Sequence, residues 1–147
     1  MTLWGSLVRS QYGPRLAGKT FSTFVMAQQG EIVSAQIDAV KAFVSGYLNR
    51  DLNTFRNFIH PEMIWFKEDG TKRIEGSGAF FELIQNSWRN NPNLKNLSSE
   101  CIQIGNIVTH AETFIGYEDG RTEEWIWVYE FLGEQIFKMY GFQPTAN

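Results

Sequence analysis

The chain has a single cysteine, Cys101, only two histidines, His60 and His110, and no block of lysine or arginine anywhere in its 147 residues. One cysteine excludes a disulfide framework within the chain, and two histidines beside it make no zinc-type ligand set, so no metal is expected. A reducing compartment is the simpler setting. The formal net charge of −3 leaves no basic stripe to displace counterions from phosphates, which argues against a nucleic-acid partner. No stretch approaches the roughly 18 uninterrupted apolar residues that cross a bilayer, so no membrane partner is expected either. A Gly-rich phosphate loop, a Ser-His-Asp arrangement, internal repeats and low-complexity segments are all missing. What is abundant is aromatic residues, 15% of the chain, in a mixture that fits one soluble globular domain.

Residues 1–30 differ from the rest. They carry Arg9, Arg15 and Lys19, hydroxyl residues from Thr2 to Thr23, and no acid before Glu31. That composition is similar to a mitochondrial or plastid transit peptide; a disordered tail, or an upstream extension with the start at Met26, are the plain alternatives. The expected organisation is therefore an N-terminal extension over 1–30 and a domain over 31–147. The compartment is the cytoplasm, or an organelle if the extension is a targeting peptide.

Val33, Ile37, Val40, Val44 and Tyr47 recur at steps of four and three, the spacing of one buried helical face. Asp51 suits the cap of a second, short helix carrying Leu52 and Phe55, and Pro61 takes His60 out of helical geometry. Met63 to Phe66 reads as a strand, turned at Asp69-Gly70 into a second strand, Lys72 to Glu75. Ser77 is placed to cap a third helix with Phe80, Phe81, Ile84 and Trp88 as its buried stripe, ending at the polar loop Asn90 to Asn96. Four strands follow, Leu97 to Ile104, Ile107 to Tyr117, Thr122 to Leu132 and Gln135 to Phe142, separated by the hairpin signals Gly105-Asn106, Asp119-Gly120 and Gly133-Glu134. The order predicts an α+β fold, with three helices packed on one face of a curved antiparallel sheet.

Hairpin register turns this order into a list of inward-facing residues. A two-residue Asp119-Gly120 turn pairs Glu118 with Arg121, and then Glu112 with Trp127, His110 with Tyr129, Phe114 with Trp125 and Val108 with Phe131. The opposite face holds Thr109, Ala111, Thr113, Ile126 and Val128, which suits a sheet surface packed on another subunit. A three-residue loop with a bulge sends His110 to the other side from the tryptophans. For the last strand a two-residue Gly133-Glu134 turn puts Lys138 and Tyr140 inside, whereas one extra loop residue puts Phe137, Met139 and Gly141 there. The second is favoured, because a buried unpaired ammonium is costly.

The Gly76-Ser77 helix start, the stretches Gly105-Asn106-Ile107-Val108 and Val128-Tyr129-Glu130-Phe131, and the closing Gln135-Ile136-Phe137-Lys138-Met139-Tyr140 resemble the nuclear transport factor 2-like superfamily, and within it the SnoaL-like, polyketide-cyclase-like branch. The resemblance covers residues 33 to 143. It implies a cone of curved sheet and helices around an apolar pocket, with dimerisation through the sheet. It does not transfer one activity. The oxyanion-hole tyrosine and aspartate of ketosteroid isomerases correspond here to Phe43 and Trp127, and their base to the neighbourhood of Phe66 and Lys67. His110 and Glu112 fall at the first two places of the limonene-epoxide-hydrolase-like triad, but its third place is near Gly141. His110 and Tyr47 are similar to scytalone-dehydratase-like pocket residues, while the aspartate of that set is replaced by Leu48.

Two functions from different classes are open. The first is a pocket protein that binds a hydrophobic cyclic or polyketide-like molecule, extending to cofactor-free acid–base catalysis of isomerase, cyclase, dehydratase or epoxide-hydrolase type. Its catalytic candidates are His110 as proton shuttle, Glu112 as base or orienting group, and Tyr129 as donor to a developing oxyanion. Phe43, Tyr47, Trp65, Phe114, Trp125, Trp127 and Met139 are its candidate pocket walls. The second is a non-catalytic dimeric binding or interaction module. Both predict a homodimer. The plainer readings are a solvent-exposed His60, Cys101 as a small buried hydrophobe, and Glu118-Asp119 and Glu123-Glu124 as a solvated rim.

Overall fold

A computed structural model of the chain describes residues 35–145; the N-terminal extension and Val33 lie outside them. Helix α1 is described over residues 35–48. Its buried line runs through Gln36, Ala39, Val40 and Phe43, with Ile37, Val44 and Tyr47 only partly buried, so the face is turned slightly from the one read in the sequence. Gln36 goes inside because its amide is satisfied there, donating to Gly133 O (2.9 Å) and accepting from Gln103 Nε2 (2.7 Å).

Helix α2 (Leu52–Arg56) is capped by Asp51, whose carboxylate accepts from the Asn53 and Thr54 amides at 3.1 and 3.2 Å. Helix α3 (Ser77–Asn90) starts differently from expectation. Its N-cap is Gly76, at φ +87°, with no side-chain cap bond, and Ser77 is already helical. Phe80, Ile84 and Trp88 are its buried residues.

Strand β1 (Ile59–Phe66) begins four residues before the predicted Met63 and includes both His60 and Pro61. His60 is half-buried, edge-on to Phe137 with centroids 5.1 Å apart, and its Nδ1 accepts from the Glu62 amide. The strand β2 (Lys72–Glu75) follows. The predicted strand Leu97 to Ile104 is two, β3 (Lys95–Ser98) and β4 (Ile102–Ile104), both paired with β5 (Ile107–Ile115). β6 (Glu123–Leu132) and β7 (Gln135–Phe142) complete a seven-stranded sheet of order β2-β1-β7-β6-β5-β3. Every pairing is antiparallel except β1 with β7, which is parallel. The result is an α+β fold with a curved, unclosed sheet.

Two registers decide what faces inward. Between β5 and β6 the pairs are His110 with Trp127, Glu112 with Trp125 and Val108 with Tyr129. The predicted pairs are therefore displaced by two residues, which leaves every side chain on its predicted face. The displacement arises because residues 116–122 stay out of the ladder. There the Arg121 guanidinium lies 3.9 Å over the Tyr117 ring and pairs with both Asp119 and Glu123.

Between β6 and β7 the turn is the two-residue one, with Leu132 opposite Gln135, but a bulge between Glu130 and Phe131 then shifts the register. Ile136, Met139 and Gly141 end up buried, while Phe137 does not. Lys138 stays on the outer face and reaches Glu130 at 3.3 Å. The expectation for Met139 and Gly141 holds, the disfavoured turn occurs, and Phe137 is corrected to the bulge.

Candidate functional site

The inner face of the sheet and helices α1 and α3 enclose a cavity of about 160 Å³. Phe43, Tyr47, Trp65, Phe114, Trp125, Trp127 and Met139 all lie in its wall, together with Glu112 and Tyr129. The aromatic rings form a continuous surface. Trp125 stacks on Trp127 (5.2 Å, 13°), Trp127 on Tyr129 (6.4 Å, 8°), and Trp65 meets Trp127 edge-on at 5.3 Å. Gly141 makes this stack possible, since a Cβ there would stand 2.6 Å from Trp127 and 3.1 Å from Trp125.

His110 is not in the wall. Its side chain is fully buried behind it, with Nδ1 2.7 Å from Ser98 Oγ and Nε2 3.0 Å from the Tyr129 hydroxyl. A neutral ring donates at one nitrogen and accepts at the other, and both hydroxyls can reverse their role to match. Backbone spacing alone puts residues two apart on a strand roughly 6–7 Å from each other. The His110 and Glu112 side chains nonetheless converge, with Nε2 3.8 Å from Oε1.

Burial acts oppositely on the two groups. It pushes His110 down to about 4, so the imidazole is neutral at pH 7. It pushes the Glu112 carboxyl up to about 7, against smaller opposing effects of the Asn96 amide and the Trp127 indole. Asn96 Nδ2 donates to Glu112 Oε1 at 3.1 Å. The indole N–H is aimed toward the carboxyl without closing a normal hydrogen bond. Tyr129 is held well above the usual phenol range, by burial first and by the nearby Glu112 charge second, so it remains a hydroxyl. The group pushed toward neutrality is thus the carboxyl, whereas the sequence suggested His110 as the proton shuttle and Glu112 as base or orienting group.

Three further residues belong to the site: Asn96, bonded to Glu112, and Glu123 and Arg73, both in the wall. Asn96 was placed in a loop, yet it is 4% exposed on β3 with its Oδ1 lacking a partner. If Glu112 is protonated, a flipped Asn96 amide accepts from it, so the amide serves either form of the acid. Glu123 is no solvated rim residue. It lies in the cavity wall, accepting from Arg121 Nε (2.8 Å), Tyr117 Oη (2.8 Å) and Trp125 Nε1 (3.1 Å). Burial alone would raise its carboxyl, but these bonds outweigh it and hold the group below the usual range. Arg73 is the third, also in the wall. Among the described residues no group of three or more His, Cys, Asp or Glu is placed to hold a metal ion, and no helix is long and apolar enough to cross a membrane.

No family model and no curated protein matches the sequence. Solved structures do match. An uncharacterised cystatin-fold protein from Novosphingobium aromaticivorans superposes with a TM-score of 0.67 at 17% identity, over 74% of this chain and 97% of its own. A nuclear transport factor 2-like protein of unknown function from Burkholderia pseudomallei gives 0.62 at 15% identity, over 75% and 91%. IdmH from Streptomyces antibioticus, a candidate polyketide cyclase, gives 0.60 at 16% identity, over 71% and 88%. At such identities the likeness is one of fold. The chain has the cystatin-like fold of the nuclear transport factor 2-like proteins, a fold it shares with candidate polyketide cyclases.

Proposed function

We propose that the chain binds a small cyclic apolar molecule in this cavity and moves a proton on it with Glu112, without a metal or organic cofactor. The observation that carries this is a carboxyl that opens onto an aromatic cavity while 5% exposed, and that titrates at about 7. Such a group can take a proton and return it at neutral pH. Tyr129 supplies a hydroxyl to the same space, and His110 and Asn96 position the pair from behind. Size restricts the ligand. A cavity of about 150 Å³ holds benzene, so about 160 Å³ suits one ring with a short arm better than a multi-ring polyketide.

A thermal-shift screen of the full chain against cyclic ketones, acids and epoxides tests the reading, run with Glu112→Gln and His110→Gln alongside. Ligand at 100 times its Kd adds roughly 2.7 kcal/mol, a clear rise in melting temperature. Hits turned over by wild type and left unchanged by a folded Glu112→Gln support the acid–base role. Hits bound but not turned over by wild type reduce the protein to a binding module. No hit from a broad screen removes the small-molecule reading.

We also propose a homodimer through the outer sheet face. Ile102 (62% exposed), Ile104 (79%) and Ile126 (44%) lie there beside Val128 and Phe142, a row of apolar groups that a monomer seldom leaves open. Light scattering at micromolar concentration is expected to give twice the chain mass, and Ile104→Glu with Ile126→Glu the single mass. A monomeric wild type would overturn the proposal.

A further inference from the structure

The wall of the cavity contains three charged side chains, and they are not equivalent. Glu112 is buried and bonded to Asn96. The Glu123 carboxylate is already taken up by Arg121, Tyr117 and Trp125. Arg73 is exposed, forms no ion pair among the described residues, and lies with its guanidinium carbon 4.3 Å over the Trp65 ring.

Its position is the product of a backbone irregularity. Strict alternation along β2 would put Arg73 on the opposite side of the sheet from Ile74, which pairs with the inward-facing Trp65. Phe66 pairs with Lys72 and Trp65 with Ile74, so Arg73 is the extra residue of a bulge and has no partner on β1. Bulges of this kind re-aim a side chain at the edge of a site. Here the bulge leaves a solvent-exposed cation in the cavity wall. A guanidinium lying over a ring contacts it with its face and keeps its in-plane N–H donors for an anion.

We infer that the cavity's ligand is a cyclic acid, its carboxylate held by Arg73 and its ring directed inward along Trp65 and Trp127. This deepens the small-molecule reading of the cavity and rests on it. The alternation of charge fits the geometry. The one cation in the wall is exposed to solvent, and Glu112 is buried, where a ring atom rather than the carboxylate would meet it.

The test is calorimetric titration of the full chain at pH 6 with benzoate, phenylacetate and cinnamate, and with their neutral amides. Each acid is expected to bind at least about tenfold more tightly than its amide, the gain of a charge-assisted hydrogen-bonded pair. Arg73→Gln is expected to bring the acid-to-amide ratio close to one while the amides bind as before, and Arg73→Lys to restore part of it. Equal binding of acids and amides to wild type, or a preference for acids that survives in Arg73→Gln, overturns the role of Arg73 and leaves the cavity reading standing. No binding of any of the six compounds overturns both.

Discussion

Alanine at Gly116 is expected to cost the fold at least about 3 kcal/mol, a large part of the stability of a domain of this size. Gly116 closes β5 at φ +87°, where an L side chain is strained. A Cβ there would also run into the carbonyl of Asn93, with Asn93 C at 2.9 Å and Leu94 N at 3.4 Å. The obstacle is the backbone peptide group between Asn93 and Leu94, so no rotamer change relieves it. Gly120 provides the control. It has nearly the same φ, +77°, with nothing within 4 Å of its Cβ position, so Gly120→Ala measures the strain of the conformation by itself, about 1 kcal/mol. Thermal unfolding followed by circular dichroism should show Gly116→Ala melting on the order of 10 °C below wild type, and Gly120→Ala much closer to it. Equal losses in the two variants would mean that the approach of Gly116 to Asn93 is not as tight as described.

The second large effect is on pH dependence. Glu112 has a folded pKa raised from 4.5 to about 7. The unfolded chain gives up this proton first, so the folded state loses relative stability as pH rises from 4.5 to 7, by on the order of 3 kcal/mol in full. His110 has a folded pKa lowered from 6.5 to about 4. The unfolded chain takes up this proton first, so the folded state loses relative stability as pH falls from 6.5 to 4, by a similar amount. Between about 4.5 and 6.5 the pair holds one proton in either state, on Glu112 when folded and on His110 when unfolded, and the two slopes cancel. Single substitutions separate them. Relative to wild type, Glu112→Gln should gain stability steadily from pH 4.5 to 7, and His110→Gln should gain it from pH 6.5 down to 4. Denaturant titrations across pH 4 to 8, read as differences from wild type, give both curves. Two flat difference curves would place neither group in a desolvated setting.

The physical reasons why some of this was legible in the sequence are local. Phe80, Ile84 and Trp88 repeat at four residues, and that spacing has one helical reading. His110 and Glu112 share a face with Trp125, Trp127 and Tyr129 because a displacement of two residues preserves parity along a strand. What stayed hidden depends on partners distant in sequence. On β3, Asn96 points in at 4% exposure and Leu97 points out at 60%, the reverse of what polarity suggests. Only the Glu112 carboxyl, sixteen residues away, explains the inversion. Arg73 is brought to the cavity by a bulge, and Phe137 is moved from the core by another; neither leaves a mark in the local pattern of polar and apolar residues. The desolvation that pushes His110 down and Glu112 up is likewise a property of the packed site.

The parallel pairing of β1 with β7 has a consequence for how the chain acquires its structure. Trp65 lies beside Met139, and Phe66 beside Tyr140, across more than seventy residues of sequence. Among the described residues, the hairpin of β1 and β2 is joined to the remaining sheet through β7 alone. During synthesis, then, the β1–β2 hairpin meets its neighbouring strand only when β7 has emerged, whereas β5, β6 and β7 can zip through short loops as soon as they are made. Closing so long a loop costs more chain entropy than closing the short hairpins. The β7 side of Trp65 and Phe66 stays uncovered until Gln135–Phe142 arrive, whereas Phe80 and Trp88 of α3 have Phe43, Tyr47 and Phe55 to pack on from the start.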